Sequence, residues 1–103
     1  MSLTLQSYIA QIQNGSLDPQ DVLVKYIQKA KDAQSSYNAF IRFHDDYTGN
    51  IKIDTNSPLA GAPIAIKDNI LMKGYISSCG SRMMEKYVAP YNATCFAKLQ
   101  AVG

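Results

Sequence analysis

The sequence predicts an α/β chain that opens on helices. Two patterns carry this expectation. Apolar residues recur at helical spacing twice before position 31; the period then turns strand-like over 38–43, and a short apolar strand pattern follows over 61–66. Size is the third observation: 103 residues make one small domain, or part of a larger one, with surface enough to bury a single modest core.

Leu5, Tyr8, Ile9 and Ile12 fall at i, i+3, i+4 and i+7, one face of a first helix, and Gly15 suits its stop. Asp18-Pro19 starts a second helix. Asp18 is its N-cap, and Pro19 takes the first helical position, where a missing N–H costs nothing. Val22, Leu23, Tyr26, Ile27 and Ala30 form its apolar stripe. Lys25, Lys29 and Lys31 lie mainly outside that stripe, toward the C-terminal half, where cations suit the helix dipole. The helix is expected to fade near Gln34-Ser35-Ser36.

Asn38-Ala39-Phe40-Ile41-Arg42-Phe43 then reads as a strand, with Phe40 and Arg42 on one face and Ile41 and Phe43 on the other. His44 to Pro58 is polar, with turn signals at Thr48-Gly49-Asn50 and Asn56-Ser57-Pro58. Ile51-Lys52-Ile53 alternates over too short a run to assign. From Gly61, an apolar strand pattern runs into Lys67-Asp68-Asn69, and Gly74 marks the next turn. Ser81 is placed to cap a short helix through about Tyr87, which Pro90 ends. Asn92 reads as the N-cap of a last helix with Phe96, Leu99 and Val102 inward. The organisation expected is a helical region over 1–36 and the start of an α/β domain over 37–103.

Composition excludes several function classes. Hydrophobic content of 47% with 17% charged residues is that of a folded chain, not a disordered one. A net charge of +2 without a Lys/Arg run gives no phosphate-binding surface, and Tyr8, Tyr26, Tyr37, Tyr47 and Tyr75 lack interleaved basic residues, so packing explains them better than base stacking. Two cysteines are too few for a disulfide scaffold; Cys79 and Cys95 read as small buried apolar residues. With one histidine and no Cys-x-x-Cys there is no basis for zinc. Neither a signal peptide nor a membrane-spanning run is present, which leads to the expectation of a cytoplasmic, thiol-reduced protein without a membrane partner. Asn14-Gly15-Ser16 and Asn92-Ala93-Thr94 match the glycosylation pattern, which that compartment disfavours.

Lys67 is the main chemical candidate. A lysine at the end of a buried strand must be paired or solvated, and burial favours its neutral form, which is a usable general base. The plainer reading is a solvated lysine at a strand end. The functional one is the base of a serine–lysine hydrolytic site, held on a rigid element. Alternation sends Asp68 to the opposite side, where it would serve the backbone or a neighbouring loop. Ser77-Ser78-Cys79-Gly80-Ser81 puts hydroxyls and a thiol in one turn, but no Gly-x-Ser-x-Gly elbow surrounds them. A tight turn of small residues is the better reading. His44-Asp45-Asp46 holds ligand residue types that three consecutive positions cannot easily converge on one ion. No Walker-type or dinucleotide loop is present.

Taken together, these blocks resemble the amidase signature family, in its tRNA-dependent amidotransferase branch. The likeness rests on Pro58-Leu59-Ala60-Gly61-Ala62-Pro63-Ile64-Ala65-Ile66-Lys67-Asp68-Asn69-Ile70, then Gly74, Ser77-Ser78-Cys79-Gly80-Ser81, Tyr87, Pro90-Tyr91-Asn92-Ala93-Thr94, Leu99 and Gly103. Tyr37-Asn38-Ala39-Phe40 belongs to the same likeness; the short polar link between Phe40 and Pro58 departs from it, since the family usually carries a further helix there. The resemblance implies a mixed central sheet containing the strand before Lys67, and a Ser–cis-Ser–Lys mechanism in which Lys67 is catalytic. It implies supporting roles for Asp68, Asn69, Gly80 and Ser81, and no metal. The family's two serines match positions beyond 103, so the resemblance implies a truncated, inactive piece of a glutamine-hydrolysing subunit. Its implied partners are subunits B and C of the amidotransferase, glutamine, and misacylated Glu-tRNA(Gln) or Asp-tRNA(Asn) reached through the complex. No cofactor is expected in this chain; ATP and Mg are expected in the partner subunit. Self-association of the piece is expected through uncovered strand edges. The alternatives are a small-amide amidase of the same family, or a module that binds the other subunits without chemistry.

Overall fold

The computed structural model describes residues 2–44 and 52–103. Among them stand α1 (Leu5–Gln13), α2 (Pro19–Tyr37), a single 3-10 turn (Arg82–Met84) and α3 (Thr94–Ala101). The chain divides into two compact units, Met1–Pro63 with Gly103, and Ile64–Val102.

In the first unit, α1 opens with a reciprocal cap. The Thr4 hydroxyl accepts the Ser7 N–H at 3.1 Å, and the Ser7 hydroxyl accepts the Thr4 N–H at 3.0 Å. One orphan donor at the helix start and the N–H of the cap itself are thereby satisfied. α2 begins as Asp18-Pro19 predicts: the Asp18 carboxylate accepts the Gln20 N–H at 2.7 Å. It runs to Tyr37, just past the expected fade, and closes on Asn38 in the left-handed region at φ 46°. Asparagine is the non-glycine residue that most readily serves there.

The core of this unit is Tyr8, Ile12, Val22 and Ala60, with Leu3, Ile9, Leu17 and Ala62 packed around it. Burying side chains such as Ile12 and Val22 stabilises by about 1.5–3 kcal/mol each. Tyr8 also donates its hydroxyl to the Ala60 carbonyl at 2.9 Å, so its polar end is satisfied in the core. Ala60 and Gly61 follow each other in the left-handed region, at φ 48° and 73°. A Cβ on Gly61 would run into the Ile53 side chain, so this bend requires glycine. Leu5, expected inward, is 54% exposed, because it is the first residue of α1 and lies at the edge of the packed face. Tyr37, expected to pack, is 78% exposed at the end of α2. Tyr47 lies outside the described residues, as do Thr48-Gly49-Asn50 and Ile51.

The strand expected over 38–43 does not form. The Gln34 side chain donates to the Phe40 carbonyl at 2.6 Å and accepts the Phe40 N–H at 3.0 Å. Both backbone groups that Phe40 would give to a ladder are thus taken by one amide. Phe40 and Phe43 instead bring their rings to 5.3 Å, and the Lys31 ammonium lies 5.8 Å from the Phe43 ring centre.

In the second unit, residues 64–67 form neither helix nor turn and carry no ladder, so the expected strand is not present among the described residues. An extended segment becomes a strand only when a neighbour takes its N–H and C=O groups. Pairing here is limited to a tight loop closure: an isolated antiparallel bridge joins Ile76 and Val88. Around it Gly74 donates to Ala89, Ala89 to Tyr75, and Ser77 to Tyr87, each at 2.9 Å. Met72, Ser77, Ser78, Ala89 and Phe96 are buried. Ser81 caps a helix as expected, but only the turn Arg82–Met84, its hydroxyl accepting the Met83 N–H at 3.3 Å.

Asn92 does not cap α3. Ala93 stands at that position without a side-chain bond. The Asn92 amide oxygen accepts the Lys73 N–H at 2.7 Å instead, tying the start of α3 to the Gly74 turn. Phe96 faces inward as predicted, whereas Val102 is 38% exposed just past the last turn. Cys79 and Cys95 are free and exposed, not buried. Cys79 sits in the left-handed region at φ 52° in an exposed turn, and Cys95 lies in the first turn of α3 beside the buried Phe96.

Candidate functional site

Lys67 ends the apolar segment 62–67, and the turn Asp68-Asn69-Ile70 follows it. The Ile70 N–H donates to the Lys67 carbonyl at 2.9 Å and closes that turn. The lysine side chain is exposed, so the burial expected for it is not found among the described residues. The physical reason is the missing ladder: without neighbouring strands, nothing covers the end of this segment.

Asp68 is half-buried and is bonded into the 77–81 loop. One carboxylate oxygen accepts the Ser78 N–H at 3.1 Å and also the Ser78 hydroxyl. The Asp68 carbonyl accepts the Ser77 hydroxyl at 2.7 Å. A carboxylate receiving two donors in a partly buried place is a strong bond pair, because one partner is charged. Ser77 and Ser78 are almost fully buried, at 2% and 5% exposure, and both hydroxyls are committed to Asp68. They hold the loop rather than stand free as nucleophiles.

The loop itself explains its composition. Cys79 and Gly80 are consecutive left-handed residues, at φ 52° and 70°. The Ser81 N–H donates back to the Ser78 carbonyl at 2.9 Å, and the Gly80 N–H to the Ser78 hydroxyl at 3.4 Å. Gly80 therefore serves the bend and Ser81 the cap of the 3-10 turn. Asn69 is exposed in the turn after Lys67. Of the sequence-predicted residues, the structure brings Asp68 to the loop that holds Gly80 and Ser81. The sequence did not signal Ser77 and Ser78 as the partners of Asp68; two small hydroxyl residues next to a bend were the only trace.

Asp45 and Asp46 lie outside the described residues, and among the described residues no group of three His, Cys, Asp or Glu side chains could hold a metal ion. In the first unit, an apolar groove of about 220 Å³ is lined by Leu3, Leu5, Tyr8, Val22, Tyr26 and Pro63, among others. It offers no charged group. No helix among the described residues is long and apolar enough to cross a membrane.

Comparison with known proteins gives the family. The family model described as amidase matches residues 21–103. Proteins named as the A subunit of glutamyl-tRNA(Gln) amidotransferase are similar along nearly the whole chain. That of Thermus thermophilus is 33% identical over 91% of this chain and 20% of its own length. That of Akkermansia muciniphila is 37% identical over 97% of this chain and 22% of its own. That of Methanosarcina barkeri is 54% identical over half of this chain and 12% of its own. The chain thus spans about a fifth of the length of the first two relatives.

Proposed function

The chain belongs to the amidase family, and on that premise we propose that its residues supply the lysine base of a glutamine-hydrolysing subunit that feeds ammonia to tRNA-dependent amide synthesis. The observation that carries the reading is Lys67 at the end of an apolar segment, with the next residue anchored to a loop of buried serines. The names of the similar proteins supply the reaction class.

In this reading Lys67 takes a proton through a bridging serine on a cis peptide. That relay activates a second serine, whose oxygen attacks the side-chain carbonyl of glutamine. The carbon–nitrogen bond breaks, the departing nitrogen takes up the proton and ammonia leaves, and water then releases glutamate from the acyl-enzyme. Both serines belong to sequence outside these 103 residues, as do the groups that hold glutamine. The segment 62–67 gains strand neighbours from that further sequence, which would cover Lys67 and give the mixed sheet. Partner subunits B and C carry the remaining steps: ammonia passes to a subunit that uses ATP and Mg to activate a misacylated tRNA.

Exposed apolar side chains support packing against further protein. Met83 is 97% exposed, Tyr37 78%, Ile41 63% and Tyr91 62%, more than isolated surface residues need.

The test is ammonia release from glutamine. The 103 residues alone are expected to give none, since such a site acts as a unit. Joined to the remaining amidase sequence, they are expected to turn over, and Lys67→Ala should lower kcat on the order of 10⁴-fold or more with the fold intact. Unchanged turnover in that variant would rule out the base role.

A further inference from the structure

We propose that Asp68 and Ser78 are a positioning pair that sets the direction in which Lys67 points; this rests on reading Lys67 as the base. The argument starts from what fixes the backbone at position 67. A catalytic lysine on a sheet strand is held by ladder bonds on both sides. Residues 62–67 have no ladder among the described residues; the bonds seen to fix the backbone beside Lys67 come from the residues that follow it.

Three sets of bonds do so. The Ile70 N–H holds the Lys67 carbonyl at 2.9 Å. The Ser77 hydroxyl holds the Asp68 carbonyl at 2.7 Å. The Ser78 N–H and hydroxyl both hold the Asp68 carboxylate. Position 68 is thus gripped at its backbone and its side chain from one buried loop. That loop is itself fixed: Ser77 donates its N–H to the Tyr87 carbonyl, and Ser78 accepts at its carbonyl from Ser81. Holding the Asp68 carbonyl and side chain from one buried loop fixes the backbone immediately after Lys67, and with it the position from which the lysine side chain leaves the chain. The carboxylate takes no part in proton transfer. Its work is to remove the rotational freedom of the residue next to the base, and misplacing a catalytic group by about 1 Å costs on the order of 10²-fold in rate.

Ser78 has one chemical property that matters. Its N–H and its O–H converge on a single carboxylate oxygen, so the link keeps one bond if either the hydroxyl or the backbone geometry is disturbed. Loss of the Asp68 carboxylate removes both at once. The stronger effect is therefore expected at Asp68.

The experiment measures glutamine hydrolysis with the 103 residues joined to the rest of an amidase chain, for Asp68→Ala, Ser78→Ala, the double variant, Ser78→Thr and Lys67→Ala. Asp68→Ala is expected to lower kcat about 10²-fold and Ser78→Ala about tenfold, with KM within about twofold of the parent. The double variant should be no slower than Asp68→Ala, because both remove one link. Ser78→Thr keeps the hydroxyl and should recover most of the loss. Parent-like kcat in Asp68→Ala beside an inactive Lys67→Ala overturns the positioning role and leaves the base role standing. An active Lys67→Ala overturns the base role, and the positioning role with it.

A second measurement does not depend on turnover. In the 103-residue chain, amide hydrogen exchange at Ile70 should speed up about tenfold in Asp68→Ala while the amides of α2 keep their rates. Unchanged exchange at Ile70 overturns the clamp, even if the longer variants fail to fold.

Discussion

Tyr8 shows how one residue ties local pattern to packing. Its ring lies in the core of the first unit, and its hydroxyl reaches the carbonyl of Ala60, 52 positions away in sequence. Tyr8→Phe leaves the ring in place but strands a buried acceptor, so it should lower stability by about 1–3 kcal/mol in a denaturant titration. Burial, and secondarily the charge of Asp18, raise the Tyr8 pKa above the usual tyrosine value. The folded state therefore prefers the neutral phenol. That contribution is fully present below the unfolded value near 10 and is lost as pH rises through the higher folded value. Alkaline unfolding should begin above about pH 10 in the parent, and the part of that slope due to this phenol should be absent in Tyr8→Phe. The apolar character of Tyr8 was legible in the helical spacing of α1; its hydrogen bond was not, because Ala60 lies far along the chain. The burial expected of Cys79 and Cys95 failed for a related reason. Residue type sets a preference for the interior, but the left-handed bend at Cys79 and the exposed first turn of α3 place these two thiols in solvent.

At the scale of elements, helices were far more legible than strands. Asp18-Pro19 and the stripe beginning at Val22 are local signals, and α2 forms where they place it. A strand needs a partner, and the alternation over 38–43 contains no information on whether one is within reach. Gln34 settles the matter there by taking both backbone groups of Phe40. Gln34→Ala should therefore destabilise the end of α2 by about 1 kcal/mol, read from faster hydrogen exchange at Asn38 and Phe40. Asp18→Ala should cost a comparable amount, about 0.5–2 kcal/mol, at the opposite end. Equal protection of both ends in both variants would contradict the assignment of local roles. Over 61–66 the expected strand is absent: residues 62–67 carry no ladder among the described residues. An apolar run does not say whether a pairing neighbour lies within reach.

For the molecule as a whole, the candidate residues were named from the sequence, and their arrangement was not legible in it. Lys67, Asp68, Gly80 and Ser81 were marked by their sequence blocks, and the structure joins Asp68 to the loop of Gly80 and Ser81 through Ser77 and Ser78. Lys67 itself is exposed. The apolar side chains left in solvent predict self-association. Sedimentation velocity should show the average mass rising with concentration, and Met83→Lys with Tyr37→Lys should suppress the rise; a monomer at every concentration would contradict this. The central claim concerns Lys67 as a base, and the measurement that tests it most directly is ammonia release from glutamine by the 103 residues joined to the remaining amidase sequence, with and without Lys67→Ala. The account predicts turnover in the parent and a loss on the order of 10⁴-fold or more in the folded variant. Equal turnover in the two would contradict it.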